Sequence, residues 1–193
     1  MARTKRRFPA GETFHLFNRG NNRMPIFRDD TDRHCFVDIL KSAFEQEGVD
    51  AHNFTLMTNH YHLVVSPRRE LAVSNAMREV GKGYTGYFNQ KYERCGSMWS
   101  GKFKDRAIAD VEQALVCARY VEQNPVRARM VTDIDAYEWS SYRVYACGEP
   151  SDWLIPRSSY LALGATDDER QAAYRAICAE PLPPEMLIRC RRR

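Results

Sequence analysis

Two apolar runs, 49–57 and 61–66, lie either side of a turn at Thr58-Asn59. A connector that short joins antiparallel neighbours, so the two runs are expected to form a hairpin within a sheet. The second run lies in the stretch Asn59-His60-Tyr61-His62-Leu63-Val64-Val65. Successive strand side chains point to opposite faces, which puts His60 and His62 on one face and Tyr61 and Leu63 on the other. The histidines fall just after the turn, near the end of the sheet. Two neutral imidazoles on one rigid face make half of a divalent-metal site. A third ligand and a nucleophile must come from elsewhere, and Tyr120-Val121-Glu122-Gln123-Asn124-Pro125 offers both. Tyr120 and Asn124 stand at i and i+4, neighbours on one helix face.

The remaining elements surround this hairpin. Alternation over 12–18 followed by Arg19-Gly20-Asn21-Asn22 predicts a strand ending in a turn. Helical spacing of Phe36, Ile39, Leu40, Ala43 and Phe44 predicts a helix from about Asp30 to Gly48. A long helix is expected over 71–93, weakened by Gly81, Gly83 and Gly86 at about 1 kcal/mol each. Trp99 to Ile108 reads as a half-exposed strand with Lys102 and Lys104 outward. Asp110 is a candidate N-cap with Gln113 completing a capping box. Its helix turns Ala114, Leu115, Ala118 and Val121 inward and ends near Asn124, because Pro125 disfavours helical geometry before it.

This order predicts an α+β chain with a ferredoxin-like split βαββαβ antiparallel sheet, followed by the tyrosine helix. Downstream, 139–146 is ambiguous and 167–179 reads as a short amphipathic helix. The division expected is a catalytic domain over 1–146 and a C-terminal extension over 147–193.

At 193 residues the chain can bury a core without staples. No apolar run reaches the ~18 residues of a membrane helix, and no secretory pattern opens the chain, so a cytoplasmic protein with no membrane partner is expected. The six cysteines lie far apart and read as free thiols. A net charge of +4 says little by itself, but its distribution says more. Arg3, Lys5, Arg6, Arg7, Arg19 and Arg23 crowd the first segment. A second basic stretch includes Arg68, Arg69, Arg78, Lys82, Lys91, Arg94, Lys102, Lys104 and Arg106, and the chain ends in arginines. Such clustering can form a phosphate-facing side.

Three motifs resemble one family, the single-tyrosine HUH transposases (the IS200-like transposases), and within it the REP-associated tyrosine transposases. Phe14-His15-Leu16-Phe17-Asn18-Arg19-Gly20 is similar to the family's first strand, 57–65 to its His-hydrophobic-His strand, and 120–128 to the end of its catalytic-tyrosine helix. The segment from Cys147 onward matches no motif. The resemblance implies a metal-dependent single-stranded DNA endonuclease and strand transferase, with Tyr120 as nucleophile and a 5′-phosphotyrosine intermediate. It also implies His60, His62 and Asn124 as ligands of Mg²⁺ or Mn²⁺, with Gln123 the rival third ligand. The implied substrate is a hairpin formed by a repetitive extragenic palindrome with a short 5′ flank, handled near the nucleoid by a monomer or a homodimer. Arg6, Arg7, Arg19 and Arg23, with Lys102 and Lys104, are the candidate DNA contacts.

The chemistry is consistent with those residue types. A metal ion neutralises phosphate charge and orients the scissile group. A phenol with a reference pKa near ~10 needs neighbouring positive charge to act as a nucleophile. Two other classes compete: a domesticated hairpin-binding protein without turnover, and a hydrolase that activates water while Tyr120 is structural. His15 either lines the site or serves structure or DNA contact, whereas His34 and His52 read as ordinary residues. Tyr84, Tyr87, Phe88, Tyr92 and Trp99 offer stacking surfaces for bases, with core packing as the alternative.

Overall fold

The computed structural model describes residues 6–191. Arg3, Lys5, Arg192 and Arg193 lie outside the described residues.

In chain order the elements are β1 (Thr13–Arg19), α1 (Asp30–Glu47), β2 (Val49–Met57), β3 (His60–Pro67), α2 (Ala72–Lys91), β4 (Lys104–Ile108) and α3 (Val111–Glu122). A short helical turn, α4 (Asn124–Arg127), follows, then α5 (Tyr142–Cys147), α6 (Ser158–Leu161), α7 (Asp167–Ala179) and α8 (Pro184–Arg191). The four strands form one antiparallel sheet in the order β2-β3-β1-β4. That is the expected split βαββαβ arrangement.

Period-two alternation divides the sheet into two buried faces. Phe14, Leu16, Tyr61, Leu63 and Val65 pack under α1 and α2 with Phe36, Leu40, Val73, Val80, Tyr84 and Phe88. Val64 and Ile108 face the other way, against Ala114, Cys117, Tyr120 and Val121 of α3. Phe36 is fully buried, and its truncation to alanine would cost about 3–5 kcal/mol.

Caps and one buried ion cluster set the helix ends. The Asp29 carboxylate accepts from the Asp32 amide at 2.9 Å, and Gly48 closes α1 at φ +71. Asp32 is wholly buried yet accepts from the Arg28 amide, the Lys91 ammonium and the Tyr87 and Tyr92 hydroxyls, which pins α1 to α2. Burial opposes its ionisation, but those bonds outweigh the penalty and hold its carboxyl below the ordinary range.

The fold differs from expectation in three local respects. The last strand starts at Lys104, because 99–103 form a loop in which Trp99 bridges to Gly20. Gln113 caps the Ala109 amide at 2.6 Å, one residue before the predicted reciprocal partner, while Asp110 does accept from the Gln113 amide at 2.7 Å. Leu115 is only partly buried. Core packing, one of the two readings for the α2 aromatics, is what the structure shows for Tyr84 and Phe88, while Tyr87 and Tyr92 serve Asp32.

Residues 139–187 pack back on the domain. Leu56 donates to the Trp139 carbonyl and Ile155 to the Ala51 carbonyl, which covers the outer edge of β2. β4, at the opposite edge, is largely exposed. Cys35, Cys95, Cys117, Cys147 and Cys178 are free thiols, and no helix among the described residues is long and apolar enough to cross a membrane.

Candidate active site

The sheet face under α3 collects the histidines. In register, His15 lies opposite Val64 and Arg106, Phe17 opposite His62 and Lys104, and Arg19 opposite His60. Cross-strand partners share a face, so three cationic side chains stand on the histidine side of β1 and β4. Helix α3 is fastened over this face by the Thr55 hydroxyl, which donates to the Val121 carbonyl at 2.8 Å beside His62.

Tyr120 thereby packs edge-on against two imidazoles, with ring centroids 5.4 Å from His62 and 5.8 Å from His15. His60 and His62 lie 5.1 Å apart, nearly perpendicular. The Arg127 guanidinium sits 5.1 Å over the Tyr120 ring. Tyr120, His62 and Asn124 are buried, and His60 is partly exposed.

These imidazoles are neutral. Burial, with the Arg19 charge adding to it, holds His60 down at about 4. Burial and Arg106 hold His15 at about 3. His62 is lowered by burial first, then by His15, His60 and Arg127. A neutral imidazole keeps one nitrogen lone pair for a ligand, and the hydrogen bonds decide which. Asn59 Nδ2 donates to the Arg23 carbonyl at 3.1 Å, so its Oδ1 faces His60 Nδ1 at 2.7 Å and must accept from it. Assigned through this network, the lone pair of His60 is on Nε2. The turn that carries Arg23 depends on Gly20, where an added Cβ would come within 2.3 Å of the Met24 carbonyl oxygen.

Beyond Tyr120 the two amide candidates separate. Asn124 Nδ2 donates back to the Tyr120 carbonyl at 2.7 Å, which turns its Oδ1 away from that bond. Gln123 Nε2 donates to the Cys178 and Glu180 carbonyls at 2.8 and 2.6 Å, so its amide is engaged with the C-terminal segment. Glu122, two residues from Tyr120, is fully buried and accepts from Asn53, Ser141 and Tyr174.

The family model described as transposase IS200-like matches residues 11–124, more than half of the chain. The chain belongs to the IS200-like transposase family. Among solved structures, a REP-associated tyrosine transposase bound to a REP hairpin is similar at 17% identity and TM-score 0.65, covering 82% of this chain and 96% of that one. A transposase from Deinococcus radiodurans R1 aligns at 15% identity and TM-score 0.44, over 63% of this chain and 97% of the other. The first likeness establishes the shared fold. No curated protein matches.

For a member of a metal-dependent transposase family, the donor set here is consistent with a divalent ion. No group of three or more His, Cys, Asp or Glu among the described residues could hold one. The residues that could hold a metal here are His60 and His62, with the Asn124 side-chain oxygen, which its Nδ2 bond to the Tyr120 carbonyl leaves open, as the candidate third donor.

The candidate DNA contacts divide between the sheet's two faces. Arg19 and Lys104 stand on the histidine face. Arg6 pairs with Asp105 at 3.0 Å and, with Lys102, lines a cavity of about 640 Å³ on the opposite face, beside Trp99, Phe103, Tyr61 and Arg78. Arg7 approaches Glu70 at 3.8 Å, and the Arg23 carbonyl holds Asn59. The exposed His34 bonds the Asp30 carbonyl, and the buried His52 bonds the Ile155 carbonyl and the Ser66 hydroxyl.

Arg106 and Arg127 were not singled out from sequence as site residues. Both had a signal: Arg106 alternates with Lys104 along β4, and Arg127 follows Tyr120 by two helical turns.

Proposed function

We propose that this transposase cuts and rejoins single-stranded, hairpin-bearing DNA, with Tyr120 as the nucleophile. The observation that carries this reading is the packing of Tyr120 against His62 and His15 beneath the Arg127 guanidinium, at the edge of a cationic sheet face. Attack by the Tyr120 oxygen forms the O–P bond and breaks P–O3′. The electron pair leaves on O3′, which takes up a proton, and the 5′-phosphate stays on the tyrosine. The phosphodiester energy is conserved in that linkage, so a second 3′-hydroxyl can reverse the step.

The Arg127 guanidinium favours the phenolate, and Arg19, Lys104 and Arg106 bind the strand's phosphates. A bound Mg²⁺ or Mn²⁺ supplies Lewis-acid neutralisation of the scissile phosphate. His60 and His62, through Nε2, and Asn124, through Oδ1, are the residues that would hold it. Neutral imidazoles at ordinary pH suit this role. A hairpin as substrate is supported by the REP hairpin bound in the similar structure.

The experiment compares the wild type with Tyr120→Phe on labelled hairpin oligonucleotides bearing single-stranded flanks, with Mg²⁺ or Mn²⁺, on a denaturing gel. A metal-dependent covalent band present only in the wild type is expected. Cleavage surviving in the variant would instead favour activated water, and binding without cleavage a domesticated hairpin binder.

A further inference from the structure

His60 has its ring proton assigned by Asn59, whereas His62 meets another imidazole. Its Nδ1 lies 2.9 Å from His15 Nε2, with the rings stacked at 5.0 Å. Between two neutral rings, each with one N–H and one lone pair, that contact admits two arrangements. If His15 donates, the His62 proton sits on Nε2 and that nitrogen cannot ligate. If His62 donates, its Nε2 keeps the lone pair and the proton of His15 moves to Nδ1.

That second nitrogen has its own signature. His15 is wholly buried, and its Nδ1 has no hydrogen-bond partner among the described residues. His15 also borders a cavity of about 120 Å³ lined by Arg106, Asp110, Gln113 and Cys117 and bounded by Met186 of α8. The volume admits water, and the Asp110 carboxylate and Gln113 amide provide acceptors for it.

We propose that His15 is a positioning residue that holds His62 in the Nδ1–H form, passing its own Nδ1–H to water in this cavity. Both strand histidines then present Nε2 lone pairs, and α8 closes the water site that makes this possible. The inference rests on the reading that His60 and His62 hold a metal, but its central claim concerns a tautomer in the metal-free protein.

The test uses the full chain labelled with ¹⁵N-histidine, without metal. Long-range ¹H–¹⁵N correlation should show the proton of His62 on Nδ1 and that of His15 on Nδ1. A proton on His62 Nε2 would overturn the proposal. Mn²⁺ binding then compares His15→Gln, which keeps an acceptor, with His15→Phe, which keeps only bulk. The phenylalanine variant should lose about 10–100-fold in affinity, and glutamine should restore most of it. Equal affinity in the phenylalanine variant and the wild type would also overturn the proposal. Wild-type protein that binds no Mn²⁺ yet shows His62 Nδ1–H would instead refute the metal reading alone.

Discussion

Asn59 Oδ1 accepts from His60 Nδ1 at 2.7 Å while Nδ2 of the same amide is anchored on the Arg23 carbonyl. The second bond fixes which end of the amide meets the imidazole. Asn59→Leu removes both and should weaken Mn²⁺ binding about 10–100-fold, measured by titration calorimetry on folded protein. Asn59→Asp keeps the acceptor and should lose less. Equal losses in the two variants would show that only the turn is being disturbed.

Asn124 and Gln123 should respond differently to truncation. Asn124→Ala removes the proposed third donor and should lower metal affinity and adduct yield together. Gln123→Ala removes two bonds to the Cys178 and Glu180 carbonyls and should lower the unfolding midpoint, at about 1 kcal/mol for each bond, while metal affinity persists. The opposite pattern would make Gln123 the ligand.

Arg19 and Lys104 flank the histidine face on adjacent strands. Changing both to glutamine should weaken binding of single-stranded DNA and flatten its salt dependence by about 0.7 in log–log slope for each phosphate that is no longer neutralised. Fluorescence anisotropy across a salt series measures this. An unchanged slope would move the strand's path off this face, toward the cavity lined by Lys102 and Arg78.

Glu122 makes stability depend on pH. Burial raises its carboxyl to about 7 from 4.5, against hydrogen bonds from Ser141, Asn53 and Tyr174 that pull it down. The folded state therefore binds the proton more tightly than the unfolded chain does. The associated stability is fully present below about 4.5 and is lost as pH rises through about 7. The loss is on the order of 3 kcal/mol for a shift this large. Glu122→Gln should flatten that decline in urea unfolding at pH 5, 6, 7 and 8, and an identical decline in both proteins would assign it to another group.

The hairpin 49–66, the two helices under the sheet and the capped start of α3 were legible because their signals are local. Thr58-Asn59, Asp110 and the spacing of Phe36, Leu40 and Phe44 act within a few residues. The strand expected over 99–108 was too long because alternation around Phe103 resembles pairing, whereas Trp99 instead bridges Gly20 and donates to Thr85. For the aromatic rings of α2, periodicity suggested core packing with base stacking as the rival, and the packing of α1 against them decides for the core.

The sequence by itself determined the order of the elements, the shared face of His60 and His62, the helix turn linking Tyr120 to Asn124, and through its motifs the transposase family. These follow from period, chain order and short-range sterics, which need no knowledge of distant neighbours. Tertiary structure alone decided that His15 meets His62 and that Gln123 is engaged by the Cys178 and Glu180 carbonyls while Asn124 is not. Each joins groups far apart in sequence, the first set by the pairing of β1 with β3 and the second by the docking of the C-terminal segment on α3, and no periodicity in the chain encodes either.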